Sequence, residues 1–209
     1  MAERILLYKR YERFWHWSQA VLVLTMLVTG FEIHGSYELL HFKKAVEVHT
    51  FAAWALIVLW AFTIFWQFTT GEWRQYIPTM ARVGVMARYY AFDIFRGAPH
   101  PFHKTAASKH NPLQRLTYLV LLAVISPLIW GSGLLYLLRA GWPKLGIDAW
   151  LTLQGVAWAH TAGAFLMLCF VIVHVYLTTT GHTVFAHIKT MITGWEDVPD
   201  EPPARGKAS

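Results

Sequence analysis

Four stretches of the chain contain no Asp, Glu, Lys or Arg: Phe14 to Phe31, Val48 to Gly71, Leu116 to Leu138, and Ala149 to Ile188. A helix that crosses the hydrocarbon core of a bilayer needs about 20 predominantly apolar residues. The first three stretches fit one crossing each, and the fourth is long enough to cross and then project. The expected class is an all-α membrane protein, a four-transmembrane-helix bundle with spans at about 13–33, 46–68, 114–138 and 151–180.

The connectors differ in character. Spans one and two are joined by a short loop, FEIHGSYELLHFKK, whereas residues 70–112 form a long loop. Within that loop, IPTMARVGVMARYYAFDIFRG offers Pro78 as a helix start, helix formers in the middle and Gly97 as a stop. Its basic and aromatic mixture suggests a helix lying in the membrane interface; an ordinary connector is the competing reading. APHPFHKTAASKHNP then breaks into turns, Pro127 is positioned to kink span three, and TTTG closes span four. Residues 1–195 read as one integral-membrane domain without an internal repeat, and the polar, proline-rich residues 196–209 read as a disordered tail.

Composition agrees. Of 209 residues, 56% are hydrophobic and 14% charged, against about 25% charged in soluble domains; mean hydropathy is +0.36. Of the 18 Lys and Arg residues, all but Lys43, Lys44, Arg139 and Lys144 fall on the N-terminal arm, the long loop and the tail. Positive-inside bias therefore predicts cytoplasmic termini and a cytoplasmic long loop. The net charge of +6 reflects topology and gives no reason to expect nucleic-acid binding. The first apolar run is long for a signal peptide and is followed by no small-x-small cleavage site, so it reads as a retained span. The single cysteine, Cys169, excludes a disulfide framework, a thiolate cluster and the C-x-x-C-H attachment of c-type haem.

Against this apolar background the histidines stand out. Four of eleven fall within spans: His16, His49, His160 and His174. His160 and His174 return to nearly the same helix face about 21 Å apart along the axis, too far to share one metal. Topology puts His16 and His174 in the inner half of the membrane, and His49 and His160 in the outer half. With the midplane at Met167, levelling His16 with His174 places the inner boundary of span one near Arg13. Levelling His49 with His160 places the outer boundary of span two near Glu47. Both charged boundaries suit a core of about 30 Å.

No Asp or Glu accompanies these imidazoles within the spans, as non-haem iron would usually require, and zinc usually wants four ligands. A b-type haem needs two axial nitrogens, because its porphyrin supplies the other four. Two haem b groups follow, the inner held by His16 and His174, the outer by His49 and His160, with Gly30, Ala52, Ala53, Gly163 and Ala164 as small neighbours. Hydrogen bonding between helices, or a proton-coupled transporter or channel that titrates these histidines, is the rival reading; a haem-free anchor is a third.

ERFWHW near the N-terminus, VHTFAAW opening span two, and the His160–His174 spacing together resemble a di-haem cytochrome b family. It includes the membrane subunits of respiratory formate dehydrogenases, nickel–iron hydrogenases and thiosulfate-reductase-like enzymes, and the likeness covers residues 4–195. It implies that His16, His49, His160 and His174 are haem ligands. It further implies a protein of the bacterial inner membrane that carries electrons between the quinone pool and a periplasmic iron–sulfur or multihaem subunit. Arg13 is a candidate partner for a haem propionate, with surface anchoring as the alternative. Asn111 and Gln114 in KHNPLQRL match quinone-site residues, and His110 joins them; Leu113 stands where the family pattern has glycine. Helix capping is the competing role for Asn111. The loops from Gly35 to Lys44 and from Arg139 to Asp148 are the expected docking surface. They are too short to form a catalytic domain, so this chain is not expected to turn over a terminal substrate by itself. His182 lies near the expected quinone mouth, and the remaining histidines read as surface residues.

Overall fold

The computed structural model describes residues 3–98, 101–102, 109–181 and 183–198. His100, His103, His182 and the tail residues 199–209 lie outside the described residues. In chain order the elements are β1 (Glu3–Leu6), α1 (Arg10–Ile33), α2 (Phe42–Thr70), α3 (Val83–Ala91), α4 (Pro112–Val120), α5 (Ser126–Leu137), α6 (Trp142–Leu145), α7 (Leu153–Thr178), α8 (Ala186–Thr193) and β2 (Trp195–Val198), with short 3₁₀ turns between some of them. Among the described residues four helices are long and apolar enough to cross a membrane: α1, α2, the continuous run Pro112–Leu137, and α7. The all-α membrane class read from the sequence holds.

Among the described residues the chain forms two units. One comprises the residues up to Trp66, Lys109, and those from Tyr176 onward; the other comprises Gln67 to Phe102 and His110 to Val175. In the first unit, α1 opens with the Glu12 carboxylate accepting the Lys9 backbone N–H at 2.6 Å, which satisfies one of the orphan donors at a helix start. It ends where Gly35 enters the left-handed region (φ 77°), with the Ser36 N–H reaching back to the Phe31 carbonyl at 3.0 Å. The loop to α2 is tied by the buried Glu32, whose carboxylate accepts the backbone N–H groups of Leu39 and Leu40.

Two expectations need correction in this unit. First, α2 begins at Phe42 rather than near residue 46, so Lys43 and Lys44 belong to the helix. A charged first turn continues a helix readily, and Lys44 pairs with Glu47 at 3.2 Å. Second, residues 196–198 are not part of a disordered tail. They belong to β2, which pairs antiparallel with β1 in the register Glu3↔Val198 to Leu6↔Trp195. The hinge of this clasp is Gly194 (φ 87°), whose carbonyl accepts the N–H groups of Leu7 and Tyr8. A Cβ there would lie 2.6 Å from the Tyr8 carbonyl oxygen, so only glycine fits.

In the second unit, α4 starts with a capping box: Asn111 Oδ1 accepts the Gln114 N–H at 2.9 Å, and Gln114 Oε1 accepts the Asn111 N–H at 3.0 Å. Pro112 sits at the first helical position, where its missing N–H costs nothing. The kink expected at Pro127 takes the form of a π-turn, Leu121–Ile125, inserted just before it. The proline ring collides with the carbonyl four residues back, here Ala123, and one wide turn relieves that clash. The long-loop helix is shorter than expected. It starts after Arg82, which is left-handed (φ 62°), rather than at Pro78, and the following 3₁₀ turn stops at left-handed Gly97 (φ 69°).

Candidate haem-binding site

His49 lies on α2 in the first unit, half-buried. Its Nδ1 is 3.0 Å from Thr29 Oγ1 on α1. That hydroxyl donates its single proton to the Thr25 carbonyl at 2.8 Å, so towards the ring it accepts. With the hydroxyl used in this way, His49 Nδ1 is the hydrogen-bearing nitrogen and Nε2 the basic one, the form in which an imidazole ligates a metal. Beside the ring is Gly30, where a Cβ would stand 3.5 Å from His49 Cε1.

His160 on α7 repeats the device inside the second unit. Its Nδ1 is 3.1 Å from Ser132 Oγ and 3.1 Å from the Ile129 carbonyl oxygen, both on α5. Ser132 donates to the Leu128 carbonyl, and a carbonyl only accepts, so Nδ1–H is again the donor and Nε2 again carries the lone pair. Gly133, next to Ser132, faces the ring, and a Cβ there would press to 3.2 Å from His160 Cε1. The backbone reaches this ring because Gly163, one turn along α7 from His160, lets Ile129 approach; a Cβ at 163 would meet Ile129 Cβ at 3.0 Å and Cα at 3.2 Å. Gly163 was expected as a small neighbour of a haem, and the structure gives it this helix-packing task.

The other two histidines are also half-buried. His16 on α1 meets Trp17 edge-on, with centroids 5.2 Å apart, and His174 on α7 stacks on Phe170 at 5.8 Å. Flanking His16 on α1, Trp15 Nε1 and Gln19 Oε1 are buried polar atoms without a hydrogen-bond partner among the described residues. Glu12, one turn before His16, forms a buried ion pair with Lys109, with Nζ at 2.8 and 3.1 Å from the two carboxylate oxygens. Arg13 sends Nη1 to the Ile192 carbonyl at 2.7 Å, and Trp17 sends Nε1 to the Met191 carbonyl at 3.3 Å, so together they cap the last turn of α8. A further nitrogen of Arg13, Nε, is buried without a hydrogen-bond partner among the described residues.

His110, Asn111 and Gln114 do come together at the start of α4. His110 is buried between Tyr76 and Tyr118, with ring centroids 5.0 Å from each. Asn111 is buried in the capping box and also donates Nδ2–H to the Tyr90 hydroxyl at 3.2 Å. Burial drives the pKa of Tyr90 up to about 12, against a smaller downward effect of the Asn111 hydrogen bond.

The residues fit a haem better than a bare metal ion. Among the described residues no three His, Cys, Asp or Glu side chains gather as a metal site. An iron porphyrin asks for two protein nitrogens only, and the structure holds two histidines by Nδ1, each with a glycine beside the ring. Thr29, Ser132 and Gly133 were missed by sequence reasoning. The hydroxyl–glycine dipeptides Thr29-Gly30 and Ser132-Gly133 do not mark them, because the same pattern stands at Thr70-Gly71 and Thr180-Gly181 in the other two charge-free stretches.

Apolar spans that carry histidines held by Nδ1 fit a membrane electron-transfer cytochrome of the b class. The chain belongs to the prokaryotic cytochrome b561 family, whose sequence model matches residues 7–194. It is 33% identical over 203 residues to YdhU of Escherichia coli (strain K12), a protein whose name describes it as a cytochrome; the match covers 92% of this chain and 75% of that protein. No solved structure matches. Family membership implies haem b and a place in a bacterial membrane.

Proposed function

We propose that this chain is the membrane-anchoring electron-transfer subunit of a respiratory oxidoreductase, working between the quinone pool and a periplasmic iron–sulfur or multihaem partner. It holds two haem b groups, with His16 and His174 as ligands of the inner one and His49 and His160 as ligands of the outer one. The observation that supports this reading is the anchoring of His49 and His160 through Nδ1, the kind of contact that orients an imidazole for ligation through Nε2. When bound, the haems supply reversible one-electron transfer.

The chain's own work is placement. Thr29, Ser132 and the Ile129 carbonyl set ring orientation and tautomer, and the flanking glycines keep side chains off the ligand faces. Quinone binds on the inner side beside α4, where the capping box presets Gln114 to offer its amide nitrogen to a quinone oxygen. His110, held between two tyrosines, lies in the same cluster as a proton-handling group. Asn111 acts there mainly by positioning Gln114. With both termini cytoplasmic, the loops from Gly35 to Lys44 and from Arg139 to Asp148 face the periplasm and dock the partner.

Redox difference spectra of ligand variants test this assignment. His49→Ala and His160→Ala are expected to remove the same spectral component, and His16→Ala and His174→Ala the other. Loss of one shared component from the His16 and His160 variants would overturn the pairing. A purified chain without haem would return the histidines to proton-coupled transport.

A further inference from the structure

The hydroxyl–glycine cradles do more than repeat. Thr29-Gly30 on α1 serves His49 and Ser132-Gly133 on α5 serves His160, so the same two-residue device stands beside one histidine in each unit. Donation to the carbonyl four residues back is common in these helices: the hydroxyls of Thr25, Thr63 and Thr117 each make it, and Thr63 also lies 3.0 Å from the Tyr11 hydroxyl. Thr29 and Ser132 make the same donation and also receive a ring N–H. Such a hydroxyl is polarised by its own donation, which strengthens it as an acceptor.

We infer that Thr29 and Ser132 are paired positioning residues that tune one haem, the outer one, by withdrawing the Nδ1 protons of its two ligands. This rests on the bis-histidine assignment proposed above. An imidazole whose Nδ1–H is hydrogen-bonded is the stronger base at Nε2 and so favours ferric over ferrous iron. The two hydroxyls therefore lower the midpoint potential of that haem, and the Ile129 carbonyl adds to the effect at His160. The glycines have unequal tasks. A methyl at Gly30 would make ordinary contact with His49 at 3.5 Å, whereas at Gly133 it would crowd His160 at 3.2 Å.

The test is a potentiometric titration of the haem-loaded full chain, with the low-spin ferric electron paramagnetic resonance signal as a second readout. Thr29→Val and Ser132→Ala should each raise the midpoint of one and the same component, leave the other in place and keep haem content at the wild-type level. Thr29→Ser and Ser132→Thr should restore it, which separates a lost hydroxyl from a disturbed helix. Thr25→Val, one turn from Thr29, should change neither component. Gly133→Ala should perturb the same component. Unchanged midpoints and unchanged ferric signals in both hydroxyl variants would overturn the inference while leaving the haem assignment intact. Shifts confined to different components would overturn it too, since the two hydroxyls would then not share a haem. A wild-type chain that binds no haem would sink the underlying reading itself.

Discussion

At the scale of single residues, function turns on how an imidazole is held. Gly163 is the exacting position beside His160, because Ile129 Cβ, Cα and N close on it at 3.0–3.3 Å and cannot rotate away. Gly163→Ala should cost about 1–3 kcal/mol through overpacking and should loosen the Ile129 carbonyl from His160. Thermal unfolding of the detergent-solubilised chain measures the first effect and the outer haem spectrum the second. Tyr90 supplies a pH prediction. Its folded-state pKa lies near 12, above the ordinary value of 10.0, so the stability it contributes is complete below pH 10 and is lost as pH rises through 12. Ultraviolet titration of tyrosinate should show a late-ionising fraction that shrinks in Tyr90→Phe; an unaltered curve would show that Tyr90 is not protected. The four histidines were legible in the sequence because imidazoles are rare in lipid. Thr29 and Ser132 were not, because a hydroxyl in an apolar helix usually serves the carbonyl one turn back, and nothing local separates Thr29 from Thr25.

Elements were legible in proportion to their length. The four spans declare themselves through charge-free runs, and Asn111-Pro112 with Gln114 marks a helix start by capping chemistry alone. The β1–β2 clasp and α8 escaped: four-residue strands from opposite ends of the chain carry no periodicity, and only Gly194 hints at the turn. The Glu12–Lys109 pair escaped as well, since the partners are 97 positions apart. Both side chains are almost fully buried, at 6% and 5% exposure. Lys109→Met should therefore destabilise the protein by about 3–5 kcal/mol, because it leaves a carboxylate buried without its cation. Adding Glu12→Gln should recover part of that loss, and a double-mutant cycle of unfolding midpoints measures the coupling. Additive effects would show that the pair is not coupled.

At the scale of the whole molecule, topology determines which histidines stand at equal depth, so orientation is itself a prediction. In a Cys169→Ser background, a thiol at Ser36 should react with a membrane-impermeant reagent in intact cells, and one at Thr79 only after permeabilisation. The reverse pattern would invert the inner and outer assignments. Above orientation stands the count of cofactors, since every role assigned to the spans assumes two ligand pairs and none left over. Haem per chain, measured by pyridine haemochrome against quantitative amino-acid analysis of the purified protein, tests this most directly. The account predicts two b-type haems per chain, and a value of one or none would contradict it.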